Sequence, residues 1–186
     1  MPQPNNMRVT LDHNCLIDIE NETQEGQALR EIITSSSYEC FVVNIGASEL
    51  REKGIRPNTY HLFDKFLIDI GLKDVKRLNP MGLIDITYID FSIICSKEMI
   101  ELSKEINKIL FPSAIEEDSL IENPPYQPIG RKFLNRLCDT HSMWCHIHYG
   151  NEIFLKSDKN FHKNSKKQKL IELGAGEIKR PSGIRA

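Results

Sequence analysis

Short apolar runs and stretches of helical periodicity alternate along most of the chain. Apolar runs at 8–11, 40–43 and 153–155 have the composition of buried strands. Residues 27–35 and 60–70 instead space their apolar side chains along one face of a helix. Such alternation favours a parallel sheet with helices on both faces. We therefore predict a three-layer α/β/α fold with a mainly parallel central sheet.

The middle and the end of the chain supply the remaining predicted elements. The composition of 83–95 is β-rich with partial alternation, which indicates strand character. Ser96 can cap the amphipathic helix that follows it. Asp139 opens a further helical pattern, and Gly150 ends it, because glycine accepts the left-handed conformation of a C-terminal cap. A short helix or turn and a last strand are predicted within 170–178.

Length and composition predict a single domain over the whole chain. A chain of 186 residues can bury one sizeable core. Residues 1–7 are polar and predict a loose N-terminus, and about 111–132 is acidic and proline-bearing, which predicts a loop or arm. No stretch reaches eighteen apolar residues, and five scattered cysteines fit free thiols. These features predict a cytoplasmic protein without a membrane segment.

Charge is distributed unevenly along the chain. The net charge is −2, but from Lys159 onward six Lys and two Arg face two Glu, which leaves +6 there and −8 on the rest. A basic end on an acidic body suggests contact with an anionic partner, with nucleic acid first, or else a solvated lysine-rich loop. Because Lys159, Lys163, Lys166 and Lys167 follow closely on Asp158, they are candidate phosphate contacts.

Four carboxylates occupy comparable positions relative to the predicted strands. Asp12 follows the first strand, Glu49 lies in the helix after the second buried strand, and Asp139 and Asp158 flank the last strong strand. In a parallel sheet these strand ends share one edge, so the four acids would gather in a small volume. Clustered negative charge needs cations, and hard oxygen ligands suit Mg²⁺ or Mn²⁺. Such sites commonly perform phosphoryl chemistry.

Simpler roles exist for each acid taken alone. Asp139 could cap a helix, Asp12 and Asp158 could be turn residues, and Glu49 could lie on a solvated helix face. A phosphatase or phosphotransferase with Asp12 as nucleophile is another interpretation, although Asn14 stands where that chemistry usually has a second Asp.

Three segments in order, TLDHNCLIDI, VNIGASELRE and CDTHSMWCHIHYGNEIFLKSDKNF, resemble the PIN-domain nuclease family. That family typically shows Asp-x-Asn after its first strand, a Glu in a helix, an Asp at a helix start, and Thr/Ser-x-Asp at a strand end. The matching acids, in order, are Asp12, Glu49, Asp139 and Asp158. Asn14 belongs to the first motif, and Ser157 stands one residue away from the usual hydroxyl position.

The resemblance implies a metal-dependent endonuclease, usually a ribonuclease, in which the four acids hold Mg²⁺ or Mn²⁺. RNA would be the substrate, with DNA as a second candidate, and toxin-type relatives imply an antitoxin protein as a partner. The long separation of Glu49 from Asp139 leaves room for a homodimer contact, a partner surface or a lid. The alternative is a catalytically silent PIN-like module that binds RNA or protein.

Overall fold

The computed structural model describes residues 6–83, 86–113 and 130–184, and the centre of the molecule is a parallel sheet. The strands are β1 (Met7–Leu11), β2 (Tyr38–Val43), β3 (Lys76–Leu78), β4 (Ile153–Leu155) and β5 (Glu177–Lys179). The α-helices of the described residues are α1 (His13–Glu20), α2 (Gln24–Thr34), α3 (Gly46–Glu49), α4 (His61–Asp69), α5 (Lys97–Leu110), α6 (Arg131–His148) and α7 (Asn164–Glu172).

The order of the strands across the sheet is β3-β2-β1-β4-β5, and every neighbouring pair is parallel. From β1 the chain builds the sheet outward through β2 and β3, and then returns to add β4 on the other side of β1. Leu11 is therefore in register with Leu155, at the ends of β1 and β4. The backbone N–H of Asp12 extends this ladder by donating to the Leu155 carbonyl oxygen at 3.1 Å.

Two separate apolar cores confirm the three-layer α/β/α fold. On one face, Val9 and Leu11 of β1 pack with Val42 of β2 against α1, α2 and α4. On the other face, Phe41 of β2 and Phe154 of β4 pack against α5, α6 and α7. Alternating residues of β2 and β4 thus serve opposite cores, as the period of a strand requires.

A polar network crosses the second core. The imidazole of His146 donates from Nε2 to the Ala175 carbonyl oxygen at 2.5 Å, so its Nδ1 accepts from the Thr10 hydroxyl at 2.9 Å. Asn151 donates to the same hydroxyl oxygen at 2.8 Å. Burial lowers the pKa of His146 to about 4, because the charged imidazolium would lose its hydration there. The ring is therefore neutral at physiological pH.

A close approach of backbones fixes the joint between α1 and α2. Thr23 caps α2 by accepting from the Gly26 N–H at 3.1 Å. A Cβ built on Gly26 would overlap the Asp18 carbonyl group, whose carbon would lie 2.6 Å away. Only glycine permits this distance, so the end of α1 rests directly on the first turn of α2.

Several predicted boundaries are wrong. Residues 86–95 form turns and a 3-10 helix, with Ile93 making one isolated bridge, instead of a strand over 83–95. The Thr87 hydroxyl accepts from the Leu83 N–H at 2.6 Å, and the Leu83 carbonyl oxygen accepts from the Thr87 N–H at 3.0 Å. Such local hydrogen bonds compete with a strand ladder. The aromatic rings then pack inward, with Tyr88 4.5 Å and Phe91 4.1 Å from the Tyr60 ring centre.

The start of α6 also differs from the prediction. Asp139 lies inside an 18-residue helix that begins at Arg131 and does not open it. No glycine or proline follows Gly130 before Gly150, and buried Leu134 and Cys138 continue the apolar stripe through the predicted boundary. Gly150 follows the end of the helix with φ +63°, as predicted.

The predicted terminal and arm segments are corrected in the same way. Met7 already belongs to β1, so the N-terminal segment outside the strand is shorter than 1–7. Helix α6 takes 131–132 from the predicted arm, and 114–129 lie outside the described residues. In the described part of the chain, none of the helices has both the length and the apolar character to cross a membrane.

Candidate functional site

The candidate site lies where the strand order of the sheet reverses. Successive strands move outward from β1 in one direction and from β4 in the other, so the crevice outside the carboxyl ends of β1 and β4 is the topological switch point. Ligands of open parallel sheets bind at that place. Asp12 is the first residue after β1, and Lys156 is the first residue after β4. These two side chains form the base of the site.

Lys156 joins Asp12 to Asp139. Its Nζ donates to Asp12 Oδ2 at 2.8 Å and to Asp139 Oδ1 at 2.5 Å. The side chains of Lys156 and Asp12 are 0% exposed, whereas 15% of the Asp139 side chain reaches the surface. The predicted pair of acids is thus brought together, with an ammonium between them. Three distant segments of the chain meet in this contact.

Asp12, Asp139 and Lys156 form a triad in which the lysine shifts the pKa of both acids and both acids shift the pKa of the lysine. Burial raises the pKa of Asp12, but the charges of Lys156 and His13 outweigh burial, and the pKa lies below its ordinary value. Burial lowers the pKa of Lys156, but Asp12 and Asp139 outweigh it and keep the ammonium charged, with a pKa above the ordinary range. Burial dominates at Asp139 and, with the nearby negative charges, raises its pKa to about 7. Asp139 can therefore exchange a proton near neutral pH.

Glu49 is held beside the triad by His13. His13 Nδ1 lies 2.5 Å from Glu49 Oε2, and the side chains are 16% and 6% exposed. Burial lowers the pKa of His13, but the close Glu49 carboxylate outweighs it and raises the pKa above its ordinary value. The short helix α3 reaches α1 through Gly46, where a Cβ would lie 3.2 Å from the His13 Cβ. The sequence interpretation did not identify this partner of Glu49.

Ser157 and Asn14 support the site in different ways. The Ser157 hydroxyl donates to Asp18 Oδ2 at 2.6 Å, and the Thr23 hydroxyl donates to Asp18 Oδ1 at 2.9 Å. Asp18 therefore ties the loop after β4 to the joint between α1 and α2. Asn14 uses its backbone, since its N–H donates to Asp12 Oδ2 at 3.3 Å and Asp12 thereby caps α1.

Asp158 and the lysines that follow it form the outer part of the same loop. Asp158 Oδ1 accepts the Asn160 N–H at 2.6 Å, which closes a turn and does not join Asp158 to the triad. Lys166 donates to Asn160 Oδ1 at 2.6 Å and to the Leu110 carbonyl oxygen. Lys159 and Lys163 are exposed, and Lys167 is half-buried. Lys159 and Lys163 are thus the most accessible of the four predicted phosphate contacts.

The arrangement does not fit a divalent metal between Asp12 and Asp139. Across the described residues, no three His, Cys, Asp or Glu side chains converge as a metal-binding group. The ammonium of Lys156 already lies between the two carboxylates. Asp12 Oδ1 and Glu49 Oε2 are both buried without a hydrogen-bond partner among the described residues, and His13 Nδ1 lies 2.5 Å from Glu49 Oε2 as an ion-pair partner. Because the Lys156 ammonium fills the space between the two carboxylates of Asp12 and Asp139, a metal ion cannot bind both of them while Lys156 stays in place.

Lys156 is the site residue that sequence reasoning missed. The sequence prediction included Ser157 and Asp158 but not the lysine directly before them. A signal was present, because a lysine that directly follows a buried three-residue strand enters the region where four acids were expected. Such a cluster requires a cation, and the chain itself contains one.

Known proteins add no family to this description. A scan of the chain against models of protein families and a search among curated proteins each found no match.

Proposed function

We propose that this chain is a PIN-like nuclease that hydrolyses phosphodiester bonds, with RNA as its first substrate class. The observation that carries the proposal is the meeting of Asp12 and Asp139 at the topological switch point of a parallel sheet. Glu49 lies beside them through His13. The resemblance of the three segments to PIN-domain nucleases supports the same class of reaction.

Separate roles follow from the exposure of each residue. Asp139 reaches the surface, so its carboxylate is the group that can take a proton from an attacking water or hydroxyl. Asp12 and Lys156 are fully buried, so they position Asp139 and do not touch the substrate. Exposed Lys159 and Lys163 lie on the loop beyond β4, where they can contact the phosphates of a bound strand.

The dependence on Mg²⁺ or Mn²⁺ stays a prediction. Metal dependence follows from the resemblance alone, because the ammonium of Lys156 already supplies a cation between Asp12 and Asp139. We therefore assign no step to a metal, and the assay tests metal dependence directly.

A second candidate is a silent PIN-like module that binds RNA or protein. The specific observation that favours it is the internal pairing of the acids, since Lys156 pairs with both Asp12 and Asp139 and His13 pairs with Glu49. A site whose charges are already paired can serve to hold the fold together.

Cleavage of labelled single-stranded RNA and single-stranded DNA, each with Mn²⁺, Mg²⁺ or EDTA, tests these proposals. Asp139→Asn removes the proposed acceptor while nearly preserving shape, and Asp69→Asn is the matched control because Asp69 is exposed at the end of α4. We expect the wild type and Asp69→Asn to cut RNA, and Asp139→Asn to lose at least about a hundredfold in rate. Equal cutting by all three proteins would reveal a contaminant and overturn the proposal.

Binding of the same oligonucleotides, measured by fluorescence anisotropy, separates the two candidates. RNA binding without cleavage under any condition would replace the nuclease with the silent module. Absence of both binding and cleavage would overturn the nuclease and leave protein binding as the remaining role of the alternative.

A further inference from the structure

The contacts of Lys156 all come from the protein itself. Its Nζ donates to Asp12 Oδ2 and Asp139 Oδ1, and it lies 4.4 Å from the centre of the Phe161 ring. An ammonium has three N–H donors, so two are used on carboxylates and the aromatic face covers the remaining side. With 0% of its side chain exposed, Lys156 has no route to a phosphate in solution.

The backbone holds Lys156 in this position. Its N–H donates to the Lys179 carbonyl oxygen at 3.1 Å, which continues the pairing of β4 with β5. Its carbonyl oxygen accepts from His162 Nε2 at 2.7 Å. Both sides of the peptide are thus fixed, and the fully buried side chain extends from there to the two carboxylates.

We propose that Lys156 is a permanent internal counter-cation that occupies the position of a divalent metal between Asp12 and Asp139. Two carboxylates that converge in a buried site need positive charge between them, and this side chain supplies it. A divalent ion at the same pair would meet the ammonium at contact range and be strongly repelled. The native pair therefore excludes Mg²⁺ and Mn²⁺, and removal of the ammonium opens a metal site.

This inference concerns the same site as the proposed function but does not depend on nuclease activity. Its measurement is Mn²⁺ binding in the absence of nucleic acid, by calorimetry and by the electron paramagnetic resonance signal of free Mn²⁺. Lys156→Ala removes the charge and the side chain that separates the two carboxylates, while Lys156→Arg retains the charge. Lys156→Ala combined with Asp139→Asn removes one of the two ligands of the new site.

We expect the wild type and Lys156→Arg to show no saturable Mn²⁺ site, and Lys156→Ala to gain one saturable site that binds a single Mn²⁺. The double variant should lose that gain. Mn²⁺ should also raise the melting temperature of Lys156→Ala and leave that of the wild type unchanged.

Two results would overturn the inference. One is a saturable Mn²⁺ site in the wild type that disappears in Asp139→Asn. The other is a folded Lys156→Ala protein, shown by circular dichroism, that gains no Mn²⁺ binding. Should Lys156→Ala not fold even with Mn²⁺, the wild-type titration alone decides: no saturable site supports the inference, and a site sensitive to Asp139→Asn refutes it. None of these results requires cleavage of RNA, so a failed nuclease assay leaves the inference intact.

Discussion

Acidification should destabilise this fold through His146, which is buried as a neutral imidazole between Thr10 and Ala175. Its pKa is about 4 in the folded protein, against an ordinary value of 6.5 that the unfolded chain regains. Below pH 6.5 the unfolded chain therefore binds a proton that the folded protein excludes. The stability that this group contributes is fully present above pH 6.5 and is lost progressively as the pH falls toward 4.

The size of this effect follows from the shift. One pKa unit corresponds to about 1.36 kcal/mol, so a pKa lowered to about 4 removes roughly 3 kcal/mol of stability below that pH. Between pH 8 and pH 5 the same relation gives a loss of about 2 kcal/mol in the free energy of unfolding. That is a large share of the roughly 5–15 kcal/mol that a typical domain has available.

Urea unfolding at pH 8 and pH 5 measures the loss in the wild type and in His146→Gln. Glutamine can still donate to the Ala175 carbonyl oxygen but does not titrate. The variant should therefore lose about 2 kcal/mol less than the wild type between the two pH values, even if it is less stable at both. His61→Gln, at an exposed position at the start of α4, should behave as the wild type.

An equal loss of stability in the wild type and in His146→Gln would refute the argument. Comparison of the two proteins cancels the other groups that titrate in this range, including Asp139, whose raised pKa acts in the opposite direction. Should the variant be too unstable for urea titration, the ring signals of His146 in the NMR spectrum give the same answer. Titration of that ring above pH 6 in the folded protein would contradict a buried neutral imidazole.

Two further substitutions test the joint between α1 and α2 and its link to the loop after β4. Gly26→Ala should lower the free energy of unfolding by about 2–4 kcal/mol, because its Cβ overlaps the Asp18 carbonyl group. The control is Gly183→Ala, whose new Cβ has no atom within 4 Å. Thermal unfolding should show a change of less than about 0.5 kcal/mol for this control. Ser157→Ala removes the hydrogen bond to Asp18 and should lower the free energy of unfolding in urea by about 1 kcal/mol. The control, Ser165→Ala on the exposed face of α7, should cause no measurable change. Equal effects of the two variants would contradict the role of that hydrogen bond.

The sequence predicts the elements whose burial is one-sided or complete. The pattern is clear in the apolar runs of β1, β2 and β4 and in the apolar stripes of α2, α4 and α5. These apolar side chains are buried in one of the two cores, so their positions repeat with the period of a strand or a helix. Strand β3 was missed because it has three residues, two of them cationic, and lies at the edge of the sheet. At the edge, an Arg77 guanidinium nitrogen lies 2.5 Å from Asp64 Oδ1, so the residue forms an ion pair. The strand therefore has no apolar run by which it could be predicted.

The candidate site could be predicted only in outline. The edge of the sheet and Asp12 follow from strand ends and a parallel topology, whereas Asp139 was predicted as a helix start and lies inside α6. The partners of these acids cannot be predicted, because the pattern of apolar residues locates helices and strands but does not say which polar side chains contact one another. Lys156 and His13 are found only when the distances are known.

Because β1 pairs with β4, the site can assemble only late in the synthesis of this domain. Asp12 is synthesised 144 residues before Lys156, and β4 must then insert into the sheet beside β1, which was made much earlier. Such non-local pairing forms slowly and only after most of the chain is available. A nascent chain from which β4 has not yet emerged thus carries Asp12 without its counter-ion, and products truncated before β4 never assemble the site. Whatever this centre does, only a chain that has emerged from the ribosome beyond β4 can do it.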